Sequence, residues 1–236
     1  MGGWYQLGIV GLYGGLLALE RRAILQAMFS RPLVASTGMG VLLGDPTTGL
    51  WIGVLLELFH LGGASLGASL PEHETLSATS TTAAAVLMAP GESASPALWS
   101  LSILLCGGSG SFGRWLERRL DADTARRAEQ ANTRAEHGAL GKAMRENLWA
   151  LWAPFWVFGG ATVLFGGLGL LLRPVVTDLS GALMQGLTWA FPAMLTVAAA
   201  CGVRGSRSRE AGRWGTLGGL AALLWVVGWW LGGEGT

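Results

Sequence analysis

The stretch Gly40-Val41-Leu42-Leu43-Gly44-Asp45-Pro46-Thr47-Thr48-Gly49 places a strong turn signal between two apolar segments. Gly, Asp, Pro and Thr favour turns for separate backbone reasons, and their concentration at 44–49 predicts a reversal of the chain. The charge-free runs on either side, 32–44 and 46–56, have 13 and 11 residues. A helix needs about 20 residues to cross a hydrocarbon core of about 30 Å. The pattern therefore predicts a re-entrant helical hairpin, which enters a bilayer and turns back.

The segment that follows the hairpin, GGASLGASLPEHE at 62–74, is poor helix material but is too apolar for an ordinary loop. Irregular backbone at membrane depth is tolerated only where it is buried in protein or lines an aqueous cavity. Interrupted apolar segments of this kind point to the binding site of a transporter. The sequence therefore predicts a polar substrate path beside the hairpin.

The composition of the whole chain agrees with a bilayer as solvent. Among 236 residues, 13% are charged and 51% are hydrophobic, whereas soluble proteins have roughly 25% charged residues. Each charge-free stretch of about 20 residues is long enough for a helix that crosses the bilayer. The stretch 75–91 is near the lower limit of that length. These longer stretches are 1–19, 93–113, 147–172, 179–203 and 214–233. We expect an all-α polytopic membrane protein. Neither the net charge of +1 nor any basic run outside the central segment suggests a nucleic-acid partner.

The charges are concentrated in one central segment. Residues 114–148 carry 14 of the 31 charged side chains and eight of the 16 Lys and Arg residues. The positive-inside rule then places this segment on the cytoplasmic side. Apolar spacing and the i,i+4 pairs Arg119/Asp123 and Asp123/Arg127 predict an amphipathic helical connector with pauses at Gly138 and Gly141. A solvated connector is the favoured interpretation, and a surface-lying or partner-contacting arm is the alternative.

This organisation divides the chain into three parts. They are an N-terminal membrane region with the hairpin (1–113), the charged connector (114–148) and a C-terminal membrane region (149–236). 

A carboxylate inside an apolar segment is a functional candidate by default, and Glu57 is the clearest case. A carboxylate can accept two vicinal hydroxyls of a sugar in charge-assisted hydrogen bonds. The alternative is a structural ion pair with Arg31, Arg21 or Arg22.

A second polar group of residues, Glu72-His73-Glu74, can bind a polyol or carry protons, or it can be an exposed loop. Gln26 and Arg31 add amide and guanidinium donors near the hairpin. His60 and His137 have no partner at metal-ligand spacing, so no metal site is predicted. The residue pattern also predicts neither a cofactor nor a catalytic nucleophile with a base.

Several of these stretches follow one another in a characteristic order. The sequence resembles the enzyme IIC subunit of the mannose/fructose/sorbose family of bacterial phosphotransferase systems, most closely over about residues 10–85. The motifs are LERR (19–22), QAMFSRPLVA (26–35), GVLLGDPTTG (40–49), LLEL (55–58) and LGASLP (66–71).

The resemblance implies a sugar-conducting subunit of the bacterial inner membrane, built from two inverted repeats with re-entrant hairpins. It implies an enzyme IID partner in a trimer of heterodimers, and a soluble IIA/IIB component that phosphorylates the arriving hexose or amino sugar. Glu57 matches the family carboxylate of the Leu-Glu motif, and Gln26 and Arg31 match positions around the Ser-Arg-Pro motif. His73 and Glu74 lie where relatives carry Pro-Pro-Asp-Asp-Thr.

The chain departs from the family pattern where His73 replaces an aspartate, and it is short for the family. These departures motivate an alternative: a degenerate, non-transporting member that acts as a membrane interaction or regulatory subunit. In either case the resemblance implies a subunit that is not an enzyme by itself.

Overall fold

The computed structural model describes residues 3–22, 25–61, 72–89, 93–205, 213, 215–220 and 224. Every regular element with defined bounds in these ranges is a helix, which confirms the all-α prediction for this part of the chain. The helices are α1 (Gly3–Arg22), α2 (Pro32–Leu43), α3 (Pro46–Leu61), α4 (Glu74–Met88), α5 (Pro96–Cys106), α6 (Ser109–Glu136), α7 (Leu140–Thr177) and α8 (Gly181–Gly205).

The α2 and α3 helices form the hairpin that the turn signal predicted. The α2 helix ends at Leu43 and is capped by Gly44, whose φ of 92° lies in the left-handed region that glycine tolerates best. The next residue, Asp45, accepts a hydrogen bond from the Thr48 amide at 3.0 Å, and Pro46 opens α3 without needing a donor. The insertion of this hairpin into a bilayer from one side stays a prediction.

Asp45 also attaches the hairpin turn to the rest of the bundle. Its Oδ2 accepts hydrogen bonds from the Thr48 hydroxyl at 2.6 Å and from the Ala94 amide, just before α5, at 2.8 Å. The Trp99 indole N–H of α5 donates to the same Thr48 hydroxyl at 2.9 Å. The buried carboxylate thus satisfies donors from two elements, as a buried charge requires.

The α4 helix lies at the centre and contacts α1, α2, α3, α5, α6 and α7. It is rich in Ser and Thr yet almost entirely buried. Several of its hydroxyls are bonded within or between helices: Thr79 donates to the Thr75 carbonyl at 2.8 Å, and Ser77 donates to the Gly107 carbonyl at 2.8 Å. Such hydroxyl bonds hold helices together where solvent offers no hydrophobic driving force. The Thr81 and Thr82 hydroxyls are buried without a partner among the described residues.

The helix boundaries correct the predicted organisation in two places. The charge-free stretch 93–113 is divided at Gly107 and Gly108, so α5 has only 11 residues. The α7 helix begins at Leu140, includes Gly141 and continues for 38 residues, while Gly138, with a φ of 75°, separates it from α6. The predicted connector is therefore continuous with the helices on both sides, and its proposed borders lie inside α6 and α7.

Two of the described helices are long and apolar enough to cross a membrane, namely Leu140–Thr177 and Gly181–Val203. The α1 helix runs along α7, where Gly14 and Gly15 contact Thr162 and Phe155 closely. The predicted span 214–233 lies largely, and the motif 66–71 wholly, outside the described residues.

Candidate functional site

The open end of the α2–α3 hairpin brings two predicted site residues together. Glu57 on α3 places its Oε1 3.3 Å from Nη1 of Arg31, and its Oε2 accepts the Leu33 amide at 3.3 Å. Among the alternatives for Glu57, the structure thus shows the ion pair with Arg31. The Arg31 side chain is about half exposed, so polar atoms of this ion pair remain accessible at the surface of the described structure.

Gln26 lies in the segment that joins α1 to α2, with its side chain exposed. The segment is held by Glu20, a buried carboxylate at the end of α1 that accepts the Phe29 and Ser30 amides at 3.3 and 3.0 Å. The Thr75 hydroxyl of α4 donates to the Ser30 carbonyl at 2.8 Å. Glu20 is a structural anchor whose role the sequence did not reveal.

The predicted Glu72-His73-Glu74 cluster is divided among separate neighbours. His73 is 2% exposed, and its Nδ1 accepts the Leu76 amide at 3.1 Å, which caps α4. Its ring stacks on Phe158 of α7 with centroids 4.1 Å apart. Gly113 of α6 passes so closely that a Cβ there would lie 2.6 Å from the His73 Cβ. His73 therefore helps to hold three helices together.

Glu74 belongs to an ionic cluster that attaches the connector to the bundle. Arg21 of α1 lies 3.4 Å from Glu74 and 3.9 Å from Glu117 of α6. The neighbouring Arg22 pairs with Asp121 of α6. The first half of the predicted connector is consequently docked on the ends of α1 and α4 through these ion pairs, which the solvated interpretation did not include.

Glu72 faces a different part of the molecule, a cavity of about 660 Å³ between α3, α5 and α8. Its walls are mainly apolar, and its polar groups include Glu72, His60 and Ser111. The Ser111 hydroxyl donates to Oε1 of Glu72 at 2.6 Å. A concave, largely apolar site with a few convergent polar groups is typical of small-molecule pockets, which measure roughly 300–1,000 Å³.

His60 lines the same cavity. Its Nδ1 lies 2.7 Å from the Leu56 carbonyl, which can only accept, so Nδ1 carries a proton. The Nε2 atom is buried without a hydrogen-bond partner within the described structure. The sequence analysis considered His60 only as a metal ligand and did not predict its place in the cavity lining. The signal for it was its position in an apolar run, about one helical turn after Glu57.

The whole described bundle matches a known family. The model of the phosphotransferase-system sorbose-specific IIC component matches residues 4–203. The chain belongs to this family. Members of the family are membrane components of sugar transport, and the two long apolar helices fit a membrane location.

Individual relatives support the same assignment more locally. The phosphotransferase-system sorbose-specific EIIC component of Lacticaseibacillus casei is 44% identical over 52 residues, which cover 22% of this chain and 19% of that relative. The match thus spans about a fifth of the curated relative's length.

Two solved structures share the fold. One, described as the structure of a membrane protein, has a TM-score of 0.68 at 20% identity, with 98% of this chain and 95% of that chain covered. The other is a cryo-electron microscopy structure of the mannose transporter ManYZ in complex with microcin E492, with a TM-score of 0.59, 20% identity and coverage of 98% and 94%.

Proposed function

We propose that this chain is the sugar-conducting IIC subunit of a mannose-type phosphotransferase system, and that it translocates a hexose or an amino sugar. The observation that carries the proposal is the cavity between α3, α5 and α8, whose polar groups include the Glu72 carboxylate and the Ser111 hydroxyl. A sugar can pack its C–H faces on apolar walls while its hydroxyls donate to the carboxylate. The chain takes no phosphate itself in this proposal.

The proposed sugar path also includes the residues at the hairpin. Glu57 and Arg31 offer an acceptor and a donor at its open end, and Gln26 lies exposed in the adjoining segment. His73 and Glu74 contribute by fixing the start of α4 next to Glu72.

Partners follow from the family membership as part of the same proposal. The chain works with an enzyme IID subunit in a trimer of heterodimers, and a soluble IIA/IIB component phosphorylates the sugar. The assembly lies in the bacterial inner membrane, with 114–148 on the cytoplasmic side. The two repeats are proposed to be inverted copies that carry re-entrant hairpins.

The test is reconstitution of the full chain with its IID and IIB partners in proteoliposomes. With phosphoenolpyruvate and the general relay proteins, we expect labelled hexose or amino sugar to become sugar phosphate inside the vesicles. If an intact assembly binds no sugar of a broad panel, transport is wrong, and the degenerate interaction subunit becomes the better interpretation.

Two substitutions locate the path within that assay. Glu72→Gln is expected to raise the sugar concentration for half-maximal uptake about tenfold, because a charge-assisted acceptor becomes a neutral one. Glu57→Gln is expected to reduce uptake by a similar factor. Glu129→Gln, an exposed carboxylate of α6, is the matched control and should leave uptake unchanged. Unchanged uptake in Glu57→Gln removes Glu57 from the path.

A further inference from the structure

The α6 helix separates its charges by face. Between residues 112 and 128, each of its three carboxylates is paired with an arginine, two with arginines of α1 and the third with Arg127 of α6 itself. These carboxylates are Glu117, Asp121 and Asp123. The remaining arginines of this span, namely Arg114, Arg118, Arg119 and Arg126, have no ion-pair partner among the described residues. The outer face of α6 therefore carries unpaired positive charge up to Arg126, and the exposed carboxylate of Glu129 follows about one turn later.

Exposed aromatic rings adjoin these arginines. Phe112 and Trp115 stack with centroids 5.6 Å apart, and Trp115 is 49% exposed. The Arg119 guanidinium lies over the Trp115 ring, 4.7 Å from its centroid. The predicted i,i+4 pair of Arg119 with Asp123 does not form, since Asp123 pairs with Arg127. A guanidinium stacked on an indole keeps its N–H groups free for a planar acceptor.

The position of this face relative to the bilayer follows from α7. Phe112 contacts Phe165, deep in the apolar part of α7, with centroids 5.5 Å apart. Farther along α6, Arg127 lies 5.5 Å from the Trp149 ring near the charged end of α7. Arg118 and Arg119 lie between these two levels, about 10 Å along the helix from Phe112. This is the depth of headgroups, where exposed Trp rings are favoured.

We propose that the outer face of α6, formed by Phe112, Trp115, Arg118 and Arg119 with Arg114 beside them, binds the phosphodiester headgroup of an anionic membrane lipid. Two guanidinium groups can each donate a pair of N–H groups to phosphate oxygens. The rings of Phe112 and Trp115 contact the adjoining acyl region. A soluble phosphate would use the arginines alone, so the aromatic pair on the apolar side of them favours a lipid.

The experiment titrates the purified full chain, after delipidation in mild detergent, with phosphatidylglycerol or phosphatidylcholine and counts bound lipids by native mass spectrometry. We expect phosphatidylglycerol to bind more tightly than phosphatidylcholine. The double variant Arg118→Gln/Arg119→Gln should weaken phosphatidylglycerol binding at least tenfold, because each basic group near an anionic membrane surface contributes about fivefold to affinity. Trp115→Ala should weaken binding of both lipids.

The matched control is Lys142→Gln/Arg145→Gln, which removes the same charge from exposed positions of α7 outside the face. It should leave lipid binding unchanged, and both double variants should keep the lipid-free thermal midpoint because the altered side chains are exposed. Equal losses in the two variants, or equal binding of the two lipids, would overturn the proposal. Displacement of the lipid by an equal concentration of glycerol 3-phosphate would reassign the face to a soluble phosphate and also overturn it.

Discussion

Two antiparallel helical hairpins in this molecule are held together in opposite ways. In α2–α3, glycines bring the backbones into contact: a Cβ at Gly40 would lie 2.5 Å from the Asp45 carbonyl oxygen, and one at Gly53 3.0 Å from the Leu33 Cα. In α6–α7, Arg127 joins Asp123 at 2.7 Å to Glu146 at 3.0 Å, and Arg134 pairs with Glu146 as well.

The difference agrees with the environments predicted for the two hairpins, the bilayer for α2–α3 and the aqueous side for the charged part of α6–α7. Lipid is as apolar as a leucine side chain, so helices in a bilayer associate through close van der Waals packing and hydrogen bonds, for which glycine is suited. Water screens exposed ion pairs and leaves each of them worth little, about 0–1 kcal/mol. The first hairpin should therefore depend on shape, and the second on charge and salt.

The largest effect is expected from Gly49→Ala in the α2–α3 hairpin. The new methyl group would overlap the Ser36 carbonyl oxygen of the facing helix, and such overpacking costs about 1–3 kcal/mol. We expect a clearly lower thermal midpoint for the purified chain, measured by size-exclusion chromatography after heating.

Gly160→Ala in α7 is the control for that substitution, because a Cβ there meets nothing within 4 Å. Alanine is a better helix former than glycine by about 1 kcal/mol, so this variant should be as stable as the parent or more stable. If Gly49→Ala is equally harmless, close backbone packing does not hold the hairpin.

The next effect concerns the turn of the same hairpin. Asp45→Asn replaces a carboxylate that accepts three hydrogen bonds, from the Thr48 amide, the Thr48 hydroxyl and the Ala94 amide. An amide has a single oxygen, so at least one buried donor is left unpaired, at a cost of about 1–3 kcal/mol. Asp178→Asn, at an exposed position after α7, should change the thermal midpoint little.

The smallest effect is expected in the α6–α7 hairpin, which we call the connector hairpin. The pKa of the Glu146 carboxyl lies below its usual value of 4.5, chiefly because the Arg134 side chain donates a hydrogen bond to it and also because Arg127 donates another. A lowered folded-state pKa means that its contribution is complete above the usual value and is lost as the pH falls through the folded value. Glu146→Gln should speed amide exchange at 134–146 at pH 7, measured by hydrogen–deuterium exchange.

Salt provides a second measurement of the same contrast. Raising the ionic strength to about 1 M shortens the screening length to about 3 Å, which should speed exchange in the connector hairpin and leave α2–α3 unchanged. Glu129→Gln, without an ion pair among the described residues, is the control and should change neither. Equal salt sensitivity of the two hairpins would contradict the distinction between them.

The elements that the sequence predicted best are those with a local cause. Gly44, Asp45 and Pro46 carry the turn in their own backbone preferences, so the hairpin was predictable. Gly138 and Gly141 show the limit: both interrupt the pattern equally, but only Gly138 adopts a positive φ, while Gly141 continues as helix. Glu146, near the start of α7, pairs with Arg127 and Arg134 of α6. Such contacts between helices cannot be read from the residues around Gly141 alone.

The candidate site was predicted in part for the same reason. Glu57 was conspicuous because a carboxylate in an apolar segment needs a partner, and Arg31 is that partner. His73 was grouped with Glu72 and Glu74 by adjacency alone, yet its stacking on Phe158 comes from a residue 85 positions later. His60 acquired its importance from α5 and α8, which complete the cavity around it.

The close approach of Gly113 to His73 has an evolutionary consequence. A Cβ at position 113 would lie 2.6 Å from the Cβ of His73, and every residue except glycine carries a Cβ at position 73. The close approach of α6 to the start of α4 therefore does not depend on the imidazole. We expect relatives with this helix packing to keep glycine at 113 whichever side chain occupies position 73.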